Sequence, residues 1–82
     1  MDKDQIVKKL NEVIQAELPD IEEDVNLNAS ITQEYGVNSV SLIRLIVALE
    51  EKFDISFTDY ELALSEYESF SDLVAVITEK LG

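Results

Sequence analysis

The residues that could do chemistry in this chain lie in one stretch, YGVNSVSLIRLIVALEEKF at positions 35–53. If Asn38 is an N-cap, Ser39 is the first residue of a helix, where free backbone N–H groups and the helix dipole favour a negative group. A phosphate ester on the Ser39 hydroxyl would lie in that field. Gly36, just upstream, permits a turn that presents the serine outward. Two interpretations stay open: Asn38 and Ser39 only start a helix, or Ser39 carries a group.

The composition gives little support to other catalytic chemistry. Cysteine and histidine are both absent, which removes thiolate nucleophiles, imidazole bases and the usual zinc ligands. Among 18 acidic residues no single carboxylate pair stands out for acid–base catalysis, and there is no Gly-rich phosphate loop. The acidic segment DIEEDVNLNASI also fails as an EF-hand loop, because Val25 replaces the required glycine and Ile31 the bidentate Glu. The sequence therefore predicts neither an enzyme nor a metal site.

The composition predicts one small domain with an acidic surface. With 82 residues, 46% of them hydrophobic, the chain can form one core, so we expect a single domain over residues 1–82. The net charge of −12 disfavours nucleic acid and anionic membranes as partners and favours basic protein surfaces. No signal-peptide core is visible near the N-terminus, and the longest aliphatic run is too short to span a bilayer. We expect a soluble, cytoplasmic monomer.

Apolar residues at helical spacing predict the first half of the fold. The first helix begins at Asp2 or Asp4 and ends before Pro19, which cannot continue it. A long polar loop with a few aliphatic anchors follows. Ser30 then opens a single helical turn that Gly36 ends.

The second half contains the remaining helices. The second helix covers 39–53, and a short third helix opens at Thr58, with Glu61 in capping-box spacing. The closing helix follows Ser69 and carries a single apolar stripe. The sequence thus predicts an all-α fold, a small four-helix bundle of three main helices and one short helix with a long first loop.

The second helix is apolar on more than one face, so part of it must pack against the other helices while the rest is deeper core or an exposed contact for another protein. For Val47 the spacing does not decide between core and contact.

Together these residues resemble the phosphopantetheine attachment region of acyl carrier proteins. In that family a Gly-x-Asp-Ser-Leu segment opens helix two, which ends in Glu-Glu-x-Phe; here the corresponding segments are GVNSV at 36–40 and EEKF at 50–53. The resemblance extends over the full chain through its length, acidity, long first loop and short third helix. It implies that a phosphopantetheinyl transferase attaches 4′-phosphopantetheine from coenzyme A to Ser39. The terminal thiol of that arm would then carry an acyl or aminoacyl group as a thioester, without catalysis by the carrier itself.

The resemblance also implies a partner surface on helix two. Acyl- or aminoacyl-loading and condensing enzymes of the family present basic patches to this helix, which would place Val40, Val47, Glu50 and Glu51 in the contact. The chain departs from the family pattern at Asn38, Ser41, Arg44 and Lys52, which make the helix less anionic than the protein as a whole. Because charge complementarity selects partners, Arg44 is a further candidate contact.

The pathway stays open at this stage among fatty-acid, polyketide and nonribosomal-peptide biosynthesis. The Asn-Ser pair and the segment FDISFTDYEL are more similar to free-standing carriers of specialised pathways. The alternative from another functional class is an unmodified acidic helical module that binds a basic protein partner through helix two.

Overall fold

A computed structural model describes residues 1–82 as three α-helices joined by two connections, 18–38 and 54–69. The helices are α1 (Lys3–Glu17), α2 (Ser39–Phe53) and α3 (Phe70–Leu81), and α1 packs against both of the others. The all-α prediction is confirmed. None of the three helices combines the length and apolar character needed to cross a bilayer.

The helix ends form where the sequence predicts them. Asp2 is the N-cap of α1 and its carboxylate accepts a hydrogen bond from the Gln5 N–H at 2.9 Å, while α1 ends at Glu17, two residues before Pro19. At the start of α3 the Asp72 carboxylate accepts hydrogen bonds from the N–H groups of Glu68 and Ser69. Local capping chemistry therefore sets the ends of the helices.

The predicted short third helix is present after Thr58, as 3₁₀ helix. The segment contains two 3₁₀ turns, Tyr60–Leu62 and Leu64–Glu66, separated by Ala63 in an extended conformation. Leu62 and Leu64 both pack against the core. Residues two apart point to different sides of an α-helix, so both can face the core only if the helix is interrupted between them.

The core is one cluster of 17 buried apolar residues, contributed by the three helices and by anchors in the connections. Within α2, Leu42, Leu45, Ile46 and Leu49 are fully buried. The anchors from the connections are Val25, Ile31, Val37 and Tyr67. The buried face of α2 therefore packs inside the bundle.

The long first loop is held to the helices by hydrogen bonds as well as by its aliphatic anchors. Asn11 of α1, the one buried polar residue, accepts a hydrogen bond from the Val25 N–H at 2.9 Å and donates to the Val7 carbonyl at 3.1 Å. The Ile31 N–H donates to the Glu68 carbonyl at 3.0 Å, beside an isolated antiparallel bridge between Ser30 and Ser69. These hydrogen bonds help to fix the loop to α1 and to the residues before α3.

Candidate functional site

The segment before α2 turns the chain so that Ser39 faces outward. Residues 31–35 form the predicted helical turn, and two hydrogen bonds close its end: the Val37 N–H donates to the Ile31 carbonyl at 3.0 Å and the Gly36 N–H to the Thr32 carbonyl at 3.1 Å. Gly36 has a φ of +65°, a left-handed conformation that favours glycine. Val37, next along, is buried in the core. The turn thereby anchors the chain immediately before Asn38.

Asn38 and Ser41 cap α2 and form a reciprocal box around Ser39. The Asn38 Oδ1 accepts from the Ser41 N–H at 2.9 Å, and the Ser41 Oγ accepts from the Asn38 N–H at 2.9 Å. The prediction that Asn38 is the N-cap is confirmed. From the sequence, Ser41 was noted only as a departure from a family pattern. Its capping role was missed, although the Asn-x-x-Ser spacing of a capping box was a signal that could have revealed it.

Ser39 takes no part in this capping. Its side chain is exposed and its hydroxyl makes no hydrogen bond within the chain, whereas both neighbouring capping residues are engaged. The exposed hydroxyl is therefore available for reaction without disrupting the helix start.

The start of α2 also offers a favourable environment for an anion. The backbone N–H groups of Ser39 and Val40 have no acceptor in the chain, as expected for the first residues of a helix. No acidic residue lies in the first turn of α2 to compensate the positive end of the helix dipole. A phosphodiester on the Ser39 hydroxyl fits this chemistry, because its negative charge would lie beside unpaired donors.

One face of α2 is exposed and apolar. Val40 is 68% exposed, Ile43 44% and Val47 50%, and the three residues follow the i, i+3, i+7 spacing of one helical face. The structure therefore places Val47 on the surface, where the sequence left core and contact open. Ile43 was missed as a surface residue, although it is three residues after Val40 and four before Val47, a spacing that predicts a shared face. These three residues are called the apolar stripe below.

The charged residues predicted on α2 are arranged in two ways. Arg44 and Glu51 are exposed on the side of α2 that carries the apolar stripe. Glu50 is half-buried, and its carboxylate accepts a hydrogen bond from the Phe57 N–H at 2.8 Å. The structure thus gives Glu50 a definite part in fixing the connection after α2, and its contact with a partner stays a prediction.

The 3₁₀ segment that packs against α2 is tied to α3 by one ion pair. The Lys80 Nζ lies 2.7 Å from the Glu61 carboxylate, and this hydrogen bond, with the Thr58 N–H, lowers the pKa of Glu61 below its ordinary value. Tyr67 donates its hydroxyl to the Glu61 carbonyl at 2.7 Å. Burial raises the pKa of Tyr67 to about 12, and the charges of Glu61 and Glu66 add to the effect. The ion pair and the Tyr67 hydrogen bond therefore hold the 3₁₀ segment against the bundle beside α2.

The surface grooves of the protein lie away from Ser39. The largest, of about 540 Å³, is lined by residues of α1, the first loop and α3, among them Lys3, Leu27 and Val74. None of the four grooves is lined by a residue of α2. No three acidic residues are grouped closely enough to hold a metal ion. The surface of α2 is therefore characterised by its exposed serine and its apolar stripe, and not by a groove.

Comparison with known proteins connects this site to a family. Residues 4–77 match the family model described as "Phosphopantetheine attachment site". The chain is 32% identical over 82 residues, its whole length, to an acyl carrier protein of Petrotoga mobilis, of which it covers 94%. It is 27% identical over its whole length to an acyl carrier protein of Borrelia garinii subsp. bavariensis, covering 100% of that protein. An acyl carrier protein of Kocuria rhizophila is 35% identical over 60 residues, 73% of this chain and 74% of that protein.

Proposed function

The chain belongs to the acyl carrier protein family, whose domain is the site of covalent 4′-phosphopantetheine attachment, and from this premise we propose that Ser39 is the attachment residue. The family is a carrier family and not itself enzymatic. One observation at the start of α2 supports this assignment. Asn38 and Ser41 form the cap and leave the Ser39 hydroxyl exposed and unpaired.

The proposed role of Ser39 is to supply the oxygen of a phosphodiester. Its exposed position lets a phosphopantetheinyl transferase reach the hydroxyl, and the unpaired N–H groups of Ser39 and Val40 favour the negative charge of the ester. When attached, the arm supplies the thiol that this cysteine-free chain lacks and holds acyl or aminoacyl cargo as a thioester.

The experiment that tests the assignment is intact-mass analysis after incubation with coenzyme A and a broad-specificity transferase. We expect the mass to increase by one phosphopantetheine group in the wild type and to stay unchanged in Ser39→Ala. Ser71→Ala is the matched control, because Ser71 is also an exposed serine in the first turn of a helix. An unchanged wild-type mass, under conditions that modify a control carrier, would favour an unmodified interaction module.

We further propose that the carrier serves a specialised pathway of the polyketide, nonribosomal-peptide or aminoacyl-transfer type. Support comes from the exposed face of α2, which carries a cation at Arg44 and has no acid before Glu50. The test compares loading of the modified protein by a fatty-acid synthase transacylase with loading by an aminoacyl-adenylating enzyme. Loading by the transacylase at the rate of its own carrier would contradict the proposal.

A further inference from the structure

Arg44 is a cation without a partner on the exposed side of α2. Of the other five basic residues, three are engaged: Lys52 pairs with Glu12 at 3.2 Å, Lys80 pairs with Glu61, and Lys9 lies over the Phe53 ring at 5.9 Å. Lys3 and Lys8 of α1 are unpaired like Arg44, so what distinguishes Arg44 is its place on α2. Arg44 makes no ion pair, hydrogen bond or cation–π contact in the structure, although the protein has a net charge of −12.

The helix itself offers Arg44 no acid to pair with. On an α-helix a side chain meets the residues three and four positions away, which for Arg44 are Val40, Ser41, Val47 and Ala48. At 100° per residue, Arg44 lies about 40° from Val40 and about 60° from Val47 around the helix axis. The guanidinium therefore borders the apolar stripe, and a partner that covers the stripe must also meet this charge.

Resting on the proposed function, we propose that the cognate partner enzyme of α2 presents an apolar depression for Val40, Ile43 and Val47 together with a carboxylate opposite Arg44. The apolar stripe supplies the contact area, and the charge of the Arg44 guanidinium determines which partners can bind there. This surface differs from a continuous basic patch, which would place a cation against Arg44.

Charge complementarity supports a carboxylate on the partner. Covering the stripe removes water from the neighbouring guanidinium, and an ion left in a dry interface without a partner is costly. A carboxylate can accept two parallel hydrogen bonds from the guanidinium, whereas a Lys or Arg at the same place would repel it. Arg44 thus favours one class of partner and disfavours the other.

The test is a reciprocal charge exchange with an acyl-transferring enzyme whose docking surface is basic. The modified protein is used as wild type, as Arg44→Glu, and as Lys8→Glu, which makes the same charge change at an exposed, unpaired lysine of α1. The enzyme is used unaltered and with one docking-surface Lys or Arg replaced by Glu. Both kcat/KM for transfer and the Kd of the unmodified protein are measured, and circular dichroism verifies the fold of each variant.

We expect Arg44→Glu to improve kcat/KM and Kd with the unaltered enzyme by about three- to tenfold, and Lys8→Glu to change them less than twofold. With the altered enzyme the order should reverse, so that the wild type binds more tightly than Arg44→Glu. Equal effects of Arg44→Glu and Lys8→Glu with both enzymes would overturn the proposal. Because the Kd measurement needs no phosphopantetheine, its result is independent of whether Ser39 is modified.

Another occupant of the same face would be a second copy of this chain. Sedimentation equilibrium tests this directly: a wild-type dimer that Val47→Asp converts to a monomer would also overturn the proposal. We expect a monomer for both proteins at every concentration.

Discussion

Asn38 and Ser41 each accept a hydrogen bond from the other's backbone N–H, both at 2.9 Å, and the residue they leave uninvolved is Ser39. This reciprocal cap fixes the start of α2 while the neighbouring hydroxyl stays exposed. The serine that is proposed to react is therefore positioned by two residues that do not react.

Replacing Asn38 with Ala tests whether the cap positions Ser39. The change removes the side-chain acceptor for the Ser41 N–H, so we expect a loss of about 1 kcal/mol in the free energy of unfolding. Modification of Ser39 should slow more than this loss of stability explains, because the first turn of α2 would fray. Asn38→Asp keeps the acceptor and should retain both stability and modification rate; equal behaviour of the Ala and Asp variants would contradict this account. Urea unfolding and intact-mass time courses give the two measurements.

Replacing Val40 with Asp tests the apolar stripe as a docking surface. Val40 is 68% exposed and lies in the first turn of α2, where an acid interacts well with the helix dipole, so the fold should stay intact. We expect transferase modification or acyl transfer to slow by about tenfold, because a charged group would replace apolar contact area. Ala75→Asp, at an exposed alanine of α3, is the control and should leave the rates unchanged. Unchanged rates in Val40→Asp would show that the apolar stripe is not the docking surface.

The amide of Asn11 should contribute substantially to stability by holding the first loop. Asn11→Ala leaves the Val25 N–H without its buried acceptor, which should cost about 1–3 kcal/mol in the free energy of unfolding. Asn28→Ala, at an exposed asparagine of the same loop, should change stability by less than about 0.5 kcal/mol. Chemical denaturation compares the two variants, and similar losses in both would show that the buried hydrogen bond is not what holds the loop.

Tyr67 should make the fold sensitive to alkaline pH. Its pKa is raised by burial from 10.0 to about 12, so the unfolded chain loses this proton at lower pH than the folded one. The resulting stabilisation is complete below pH 10 and is lost as the pH rises towards 12. Tyr67→Phe should flatten the pH dependence of the melting temperature in this interval. A phenolate absorbance titration in which Tyr67 ionises at its ordinary pKa would contradict the expectation.

Local sequence signals were sufficient to predict the helices. The N-cap Asn38, the stop at Pro19 and the terminator Gly36 act on residues within one turn of themselves, so their effects follow from spacing alone. The bounds of α2 therefore match the prediction. For α1, spacing left Asp2 and Asp4 both open as the cap, and the structure has Asp2.

Contacts between residues that are far apart in the sequence could not be predicted from residue spacing. Asn11 meets Val25 fourteen positions along the chain, and Glu50 meets Phe57 across the connection after α2. The short third helix is present, but its interruption at Ala63, which lets Leu62 and Leu64 both reach core partners, was not predictable from spacing. At the site, local position left Ser39 open between a helix start and a modified residue, and only the family resemblance implied modification. The freedom of its hydroxyl depends on which neighbour performs the capping, which position alone did not show.

Peptide-level mass spectrometry on the protein purified from its native cells tests most directly whether Ser39 is the attachment residue. We expect the peptide containing Ser39 to carry 4′-phosphopantetheine, and fragmentation to place the group on Ser39 and not on the neighbouring Ser41. A protein that carries no such group on any residue, or carries it on a serine other than Ser39, would show that Ser39 is not the attachment residue.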